Sequence, residues 1–360
     1  MRYLVQVSCS LKSSIGGPVQ VVKNVSPLLK EHFRLQLIVF GHHEDPNLNA
    51  LHEATFLRNQ NGFRIRRPSK ATRDALREAN VLLIHGFYTY ATLFALLYSE
   101  TLEIFIMPHG SLQDSVLRNS PIKKKVFRII FLRLLRKRKI HFLVASEDEA
   151  NQLGLDDIVF DVSVVGIGVP RNKHLLPRKK PISNTPIVLL CMSRIHEIKR
   201  IDLCIKALAI LVQEEFNFEL RIYGDGDHNL KKKLRQLCSS LGIDSLVKFM
   251  GEVNNRDKEE AFADAHILLL PSEGENFAIA VAEAINSLTP VVVSKFVAMH
   301  RFVDTHKVGF TIEQLSAEQL ADAIRRVVHD YDSYVKSCES CASLLAWENV
   351  IDNWMRSLNE

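Results

Sequence analysis

The chain has 360 residues, 47% apolar and 24% charged, with a formal net charge of +5. That length exceeds what one core usually supports, so two domains of roughly 170 residues each are expected, and the composition excludes a disordered or low-complexity chain. The charge is uneven: through Gly168 there are 22 Lys and Arg against 15 Asp and Glu, and beyond it 24 against 26, so any surface for phosphate, anionic lipid or nucleic acid belongs to the N-terminal half.

Met1 to Val7 is too short an apolar run for a signal peptide, and no stretch of about 18 uninterrupted apolar residues could span a bilayer. Six scattered cysteines include one pair, Cys338 and Cys341, with no second pair or His-rich partner to complete a zinc site. They read as reduced thiols in the cytosol.

Short apolar runs at Tyr3–Val7, Gln36–Phe40, Val81–His85, Glu103–Met107, Phe142–Ala145 and Ser163–Val165 alternate with helical patterns, which predicts a doubly wound parallel sheet. After the first run, Gly16-Gly17-Pro18 opens a helix reaching about Glu31. The two glycines permit close approach of backbone to a ligand, although a plain tight turn fits them as well. This is no GxGxxG fingerprint, which argues against NAD. His85-Gly86 and Pro108-His109-Gly110 each end an apolar strand, so both imidazoles are expected to reach a ligand cleft, with His109 nearest the reacting group.

From Pro121 to Lys139 an apolar series is flanked by Lys123, Lys124 and Lys125 and by Arg136, Lys137, Arg138 and Lys139. Such a helix could lie on an anionic membrane surface through its Lys and Arg ends. An ordinary domain helix with a solvated basic edge fits equally well. No aromatic stacking platform accompanies the charge, so nucleic acid is not expected.

A Pro-rich and basic stretch, 170–186, reads as a linker between a domain at 1–169 and another at 187–342, followed by a helix at 343–360 that packs back toward the first domain. The second domain repeats the strand pattern at Ile187–Cys191, Glu219–Tyr223, Leu246–Met250, Ile267–Leu270 and Pro290–Ser294. Its first strand leads into Ser193-Arg194-Ile195-His196-Glu197-Ile198-Lys199, whose Arg and Lys can neutralise a diphosphate; a solvated loop is the alternative. Its fourth leads into Pro271 to Glu283. A helix beginning near Phe277 points its free amides at an anion, and Glu283 lies two turns from Glu275 on roughly the same side. A nucleotide sugar matches this pattern, as does an ordinary amphipathic helix after a strand. Asp225-Gly226-Asp227 and Asp330-Tyr331-Asp332 mimic a metal-binding Asp-x-Asp but read as a turn and a helix end, so no metal is assigned.

Taken together, Gly16-Gly17, His85-Gly86, Pro108-His109-Gly110, Val144 to Glu147, Ser193-Arg194, Lys199, Gly224-Asp225-Gly226, Gly251-Glu252-Val253 and Glu275 to Glu283 resemble the retaining family 4 glycosyltransferases (glycosyl transferases group 1). The resemblance implies a GT-B fold of class α/β, two Rossmann-like doubly wound domains facing a central cleft. It implies a metal-independent hexosyltransferase-type enzyme without cofactor, taking sugar from a UDP- or GDP-sugar. The acceptor would be a glycan or lipid-linked glycan, in bacterial surface polysaccharide synthesis such as that of lipopolysaccharide. The enzyme would be cytoplasmic, on or near the inner face of the plasma membrane.

By the same resemblance, Arg194 and Lys199 hold the diphosphate with the amides of Phe277, Ala278 and Ile279, and Glu283 binds the ribose hydroxyls. Glu275 sits by the donor sugar, His109 bonds a sugar hydroxyl, and Gly251 to Val253 border the base. Gly16, Gly17 and His85 lie on the acceptor side, Gly17 also contributing to phosphate binding. The chain departs from the family pattern at Ile167, Ala278, Leu288, Val297, Ala298 and Arg301. A non-catalytic nucleotide-binding subunit of a glycan-assembly complex and a GT-B nucleotide-sugar epimerase are the alternatives.

Overall fold

The computed structural model describes every residue except 12–15, 41–49, 53–57, 60–61, 64–67, 113–120, 136–137, 154–159, 172–185, 214–216, 254 and 360. It divides into two compact units, Met1–Gly168 with Val350–Glu360, and Val169–Asn349. The first runs β1 (Tyr3–Ser8), α1 (Gly17–Leu29), β2 (Arg34–Val39), β3 (Ala50–His52), β4 (Arg58–Asn59), β5 (Gly62–Phe63), α2 (Lys70–Glu78), β6 (Val81–His85), α3 (Tyr90–Tyr98), β7 (Glu103–Met107), α4 (Pro121–Leu135), β8 (Lys139–Val144), α5 (Glu147–Asn151) and β9 (Phe160–Val164). The second runs β10 (Ile187–Met192), α6 (Ile201–Leu211), β11 (Phe218–Tyr223), α7 (His228–Leu241), β12 (Val247–Gly251), α8 (Asn255–Ala263), β13 (Ile267–Leu270), α9 (Ile279–Asn286), β14 (Val291–Ser294), α10 (His300–His306), β15 (Gly309–Ile312), α11 (Ala317–His329) and α12 (Tyr331–Cys341). The final helix, α13 (Trp347–Asn359), contributes its first three residues to the second unit and the rest to the first.

Each unit is built on a parallel sheet. The first has the order β3-β2-β1-β6-β7-β8-β9, the second β12-β11-β10-β13-β14-β15, and every pairing within them is parallel. Helices over both faces explain why the central strands are uninterrupted apolar runs, with all of β6, β10, β13 and β14 buried. Ser69, Thr89, Ser146, Asp227 and Ser316 start their helices by accepting an early backbone N–H, which satisfies donors the helix cannot.

The edges depart most from the sequence reading. β15 was not expected, because Gly309-Phe310-Thr311-Ile312 is short, opens on Gly and is only half buried. β9 starts at Phe160 rather than Ser163, an edge strand on which Asp161, Val162 and Val164 are exposed. Of the expected linker, 172–185 lies outside the described residues, and Val169 bridges to Ala346 within the second unit. In the first unit, Trp354 is fully buried and its indole N–H donates to the Gly166 carbonyl at 3.2 Å. Arg2 donates to the Leu358 carbonyl at 3.1 Å.

Two glycines control the loops after β10 and β11. A Cβ on Gly226 would lie 2.1 Å from the Ile195 carbonyl oxygen, and one on Gly224 2.0 Å from that of Ser193. The gap they leave lets Ile195 donate to the Asp225 carbonyl at 2.9 Å. Gly226→Ala is therefore expected to lower unfolding free energy by about 2–3 kcal/mol, read as a shifted urea midpoint at unchanged slope.

Candidate functional site

In an open α/β sheet, ligands lie beyond the carboxyl ends of the strands where the winding reverses. In the second unit that point falls between β10 and β13, and the loops leaving these two strands carry the charged residues singled out above. The loop after β10 runs into a short 3-10 turn, Glu197–Lys199, and the Ile198 carbonyl accepts from Glu273 N at 2.8 Å, tying it to the loop after β13. This brings the Lys199 ammonium into an ion pair with the Glu275 carboxylate, both side chains only 14% and 17% exposed. Ser272 Oγ donates to the same carboxylate at 3.2 Å. Arg194 is exposed and makes no ion pair among the described residues, whereas the neighbouring Arg200 is committed to Asp202 and Glu273.

Glu275 lies in the loop ahead of the helix that carries Glu283. Its backbone forms a bridge with Val297, donating to the Phe296 carbonyl and accepting from Ala298 N, both at 3.2 Å. α9 starts at Ile279, two residues later than predicted, because Ala278 adopts the left-handed conformation at φ 64°. No side chain caps this end; Val281 N turns back to the Ala278 carbonyl at 2.8 Å, which leaves the amides before it to meet an anion. Ala278 and Leu288, at φ 64° and 60°, are two of the departures from the family pattern, standing where glycine costs less. Val297, a third, is fully buried in the core under α9.

On α9, Glu283 Oε1 accepts from Lys258 Nζ of α8 at 2.6 Å. Its other oxygen, Oε2, is buried with no hydrogen-bond partner among the described residues. Burial raises the Glu283 pKa, and Lys258 opposes the shift without cancelling it. A buried carboxylate oxygen with nothing to accept from is costly, and a pair of ligand hydroxyls would relieve that cost. At the end of β12, Gly251 takes φ 80° and its carbonyl accepts from Gly224 N at 2.7 Å. Val253, Phe277 and Ile279 pack on one common core cluster. Asp225 and Asp227 are used locally: Asp225 pairs with Lys231, and Asp227 caps α7.

In the first unit the winding reverses between β1 and β6. Gly16, at φ 80°, precedes α1 and its carbonyl accepts from Val19 N at 3.1 Å; Gly17 is the first helical residue. His109, after β7, holds φ 53°, a strained conformation for a residue with a Cβ, and such strain concentrates at functional positions. His85, expected on the acceptor side, is held inside the unit rather than presented to solvent. It is 4% exposed, and both ring nitrogens are engaged, Nε2 with Gln6 Nε2 at 2.8 Å and Nδ1 with His109 Nε2 at 2.9 Å. Burial lowers the His109 pKa to about 3; burial, and then the neighbouring His109, holds His85 well below its ordinary value. Both rings are therefore neutral at pH 7.

Sequence reasoning passed over Glu149. It is 2% exposed and accepts from Gly110 N at 2.6 Å and Ala145 N at 2.8 Å, so it fixes the turn that carries His109. The visible signal was Ser146-x-x-Glu149, a capping box whose Ser146 Oγ accepts from Glu149 N at 3.2 Å.

On α4, Phe127, Phe131, Leu134 and Leu135 pack inward, while Ile122, Val126, Ile129 and Ile130 are exposed beside Lys123 and Lys125. Lys124 lies over the Tyr88 ring at 5.5 Å. Arg138 is no lipid contact, correcting that expectation: it donates to the carbonyls of Ser99, Leu96 and Leu134 at 2.9 to 3.0 Å. Lys139 opens β8 and is exposed; Arg136 and Lys137 lie outside the described residues.

Residues 172–343 match the family model described as glycosyl transferases group 1. An uncharacterized glycosyltransferase, MJ1607 of Methanocaldococcus jannaschii, is 29% identical over 144 residues, 40% of this chain and 36% of that protein. The D-inositol 3-phosphate glycosyltransferase of Geodermatophilus obscurus is 25% identical over 191 residues, 51% of this chain and 42% of its own length. The aligned segments thus span about two fifths of these relatives. Among solved structures, Anabaena Alr3699/HepE in complex with UDP and glucose superposes with a TM-score of 0.77 at 16% identity, covering 100% of both chains. The chain therefore has the GT-B fold, and its residues 172–343 are similar to a glycosyl transferases group 1 domain.

Proposed function

We propose that this protein is a retaining, metal-independent glycosyltransferase that moves a sugar from a nucleoside diphosphate donor to a glycan or lipid-linked glycan in surface polysaccharide synthesis. The reading is supported by the loops leaving the switch point of the second sheet: they carry the Lys199–Glu275 pair and lead into the uncapped start of α9, on which Glu283 keeps one carboxylate oxygen without a hydrogen-bond partner among the described residues. The amides of Phe277, Ala278 and Ile279 receive the diphosphate. Lys199 exchanges part of its contact with Glu275 for phosphate oxygen, and Arg194 adds a second cation. Preorganised positive charge stabilises the leaving group as the bond to the anomeric carbon breaks, and in many enzymes such electrostatic help lowers the barrier more than any other effect. The acceptor hydroxyl attacks from the face that the diphosphate leaves.

Glu283 takes the ribose hydroxyls, Gly251 and Val253 border the base, and Glu275 meets the donor sugar. His109 bonds a sugar hydroxyl, and Gly16 and Gly17 serve the acceptor side, Gly17 also meeting phosphate. Donors to test first are UDP-sugars, because the similar Anabaena protein is solved with UDP and with UDP-glucose, and then GDP-sugars. Incubation of the purified protein with isotopically labelled donors and a glycan acceptor is expected to release nucleoside diphosphate and give a glycoside whose anomeric proton coupling matches the donor's. Inverted coupling in the product contradicts the retaining step.

α4 is proposed to rest on an anionic membrane surface, since its outward face sets Ile122, Val126 and Ile129 between Lys123 and Lys125. No helix among the described residues is long and apolar enough to cross a membrane. Apolar insertion flanked by cations, each contributing about 1 kcal/mol near anionic lipid, suits peripheral attachment. Co-sedimentation with phosphatidylglycerol vesicles is expected for wild type and is expected to fall at least several-fold in Ile129→Asp. Equal sedimentation of both contradicts it.

A further inference from the structure

We propose that Ser26 and Gln6 set the tautomer of His109 through His85, so that His109 presents its Nδ1–H outward as a hydrogen-bond donor. The inference rests on the role given to His109 in the proposed function and extends it to three residues that touch no substrate.

Gln6 sits in the middle of β1 and is fully buried, as is Ser26 on α1 at 1% exposure, so neither can exchange partners with water. The Ser26 hydroxyl donates to Gln6 Oε1 at 2.7 Å. With its oxygen turned to Ser26, the amide offers its NH2 group to His85 Nε2 at 2.8 Å. An amide nitrogen only donates, so Nε2 of His85 must be bare. A neutral imidazole carries one N–H, which then lies on His85 Nδ1, 2.9 Å from His109 Nε2. That nitrogen accepts in turn, leaving the single proton of His109 on Nδ1. Burial keeps both rings neutral, and without that neutrality the relay would not be directional. The strained backbone of His109 and the grip of Glu149 on Gly110 hold the ring at the end of this chain.

In this arrangement His109 donates to an oxygen of the sugar or phosphate and cannot accept a proton there. A reversed chain is the competing state. Ser26 Oγ also lies 2.6 Å from the Val22 carbonyl; a hydroxyl committed there, with the Gln6 amide turned over, would leave His109 with a bare Nδ1.

Long-range proton–nitrogen NMR of the full chain labelled with 15N-histidine separates the two, with His109 assigned by the signals missing in His109→Asn. Wild type is expected to show His85 and His109 each as the single Nδ1–H form. Gln6→Met, which removes the amide donor at similar volume, is expected to lose that single form in both rings. Should it fail to fold, Ser26→Ala, which frees the amide to turn, is expected to give the same loss. A wild-type His109 protonated on Nε2, or a pattern unchanged in either folded variant, overturns the proposal. The readout needs neither sugar nor acceptor, so it is independent of whether the glycosyltransferase reading holds.

Discussion

Below pH 6.5 the first unit is expected to lose stability steeply because its two histidines cannot charge in place. Burial depresses the His109 pKa to about 3 and holds His85 well below its ordinary value. In the unfolded chain both rings bind protons near pH 6.5, whereas in the folded chain they stay neutral. Between those values the unfolded state holds more protons, so stability rises with pH and falls as pH drops, approaching about 1.4 kcal/mol per pH unit for each ring. The contribution is fully present above pH 6.5. Urea unfolding at a series of pH values from 7.5 to 5 measures the slope. His109→Asn, chosen because Asn tolerates the left-handed backbone, is expected to reduce the slope by about one proton; an unchanged slope contradicts the assignment.

Lys199→Ala is expected to lower kcat for sugar transfer by about 10²–10³, the usual cost of removing one preorganised charge that meets developing negative charge. The donor KM should rise less, because the amides of α9 and Glu283 still hold the nucleotide. Loss of Lys199 also strands a largely buried Glu275 carboxylate, which costs stability. Circular dichroism therefore accompanies the assay, and the double variant Lys199→Ala/Glu275→Gln removes the stranded charge. If the double variant regains stability but turns over less than Glu275→Gln alone, the catalytic and structural effects of Lys199 are separated. A folded Lys199→Ala with wild-type kcat contradicts the role given to the ammonium.

The sheets were legible because strands covered on both faces read as short apolar runs, and central strands such as β10 and β13 match their expected spans closely. Edges were less so: β15 is only four residues long and opens on Gly, and β9 sets an exposed Asp161 among half-exposed residues, so neither keeps the pattern. The start of α9 was misjudged by two residues because Ala278 gives no local sign of its left-handed backbone. The charged residues of the second unit could be named from strand-end position, but the Lys199–Glu275 pair joins residues 76 apart in sequence and depends on sheet order. His85 shows the opposite limit. Its place at a strand end was readable, yet nothing in the local sequence says that Gln6, from another strand, occupies its far nitrogen. A lone glutamine inside the apolar run Tyr3–Val7 was the available clue.

In the proposed enzyme, the loops after β10 and β13 and the tip of α9 grip a nucleoside diphosphate, and every other assigned role depends on that grip. Isothermal titration of the protein with UDP, GDP and ADP, beside Lys199→Ala and Glu283→Ala, tests it most directly. One nucleotide is expected to bind wild type, and each substitution to weaken it by at least tenfold, since each removes charged hydrogen bonds worth about 1.5–3 kcal/mol. Binding of none of the three, or equal affinity in wild type and both variants, would contradict the account.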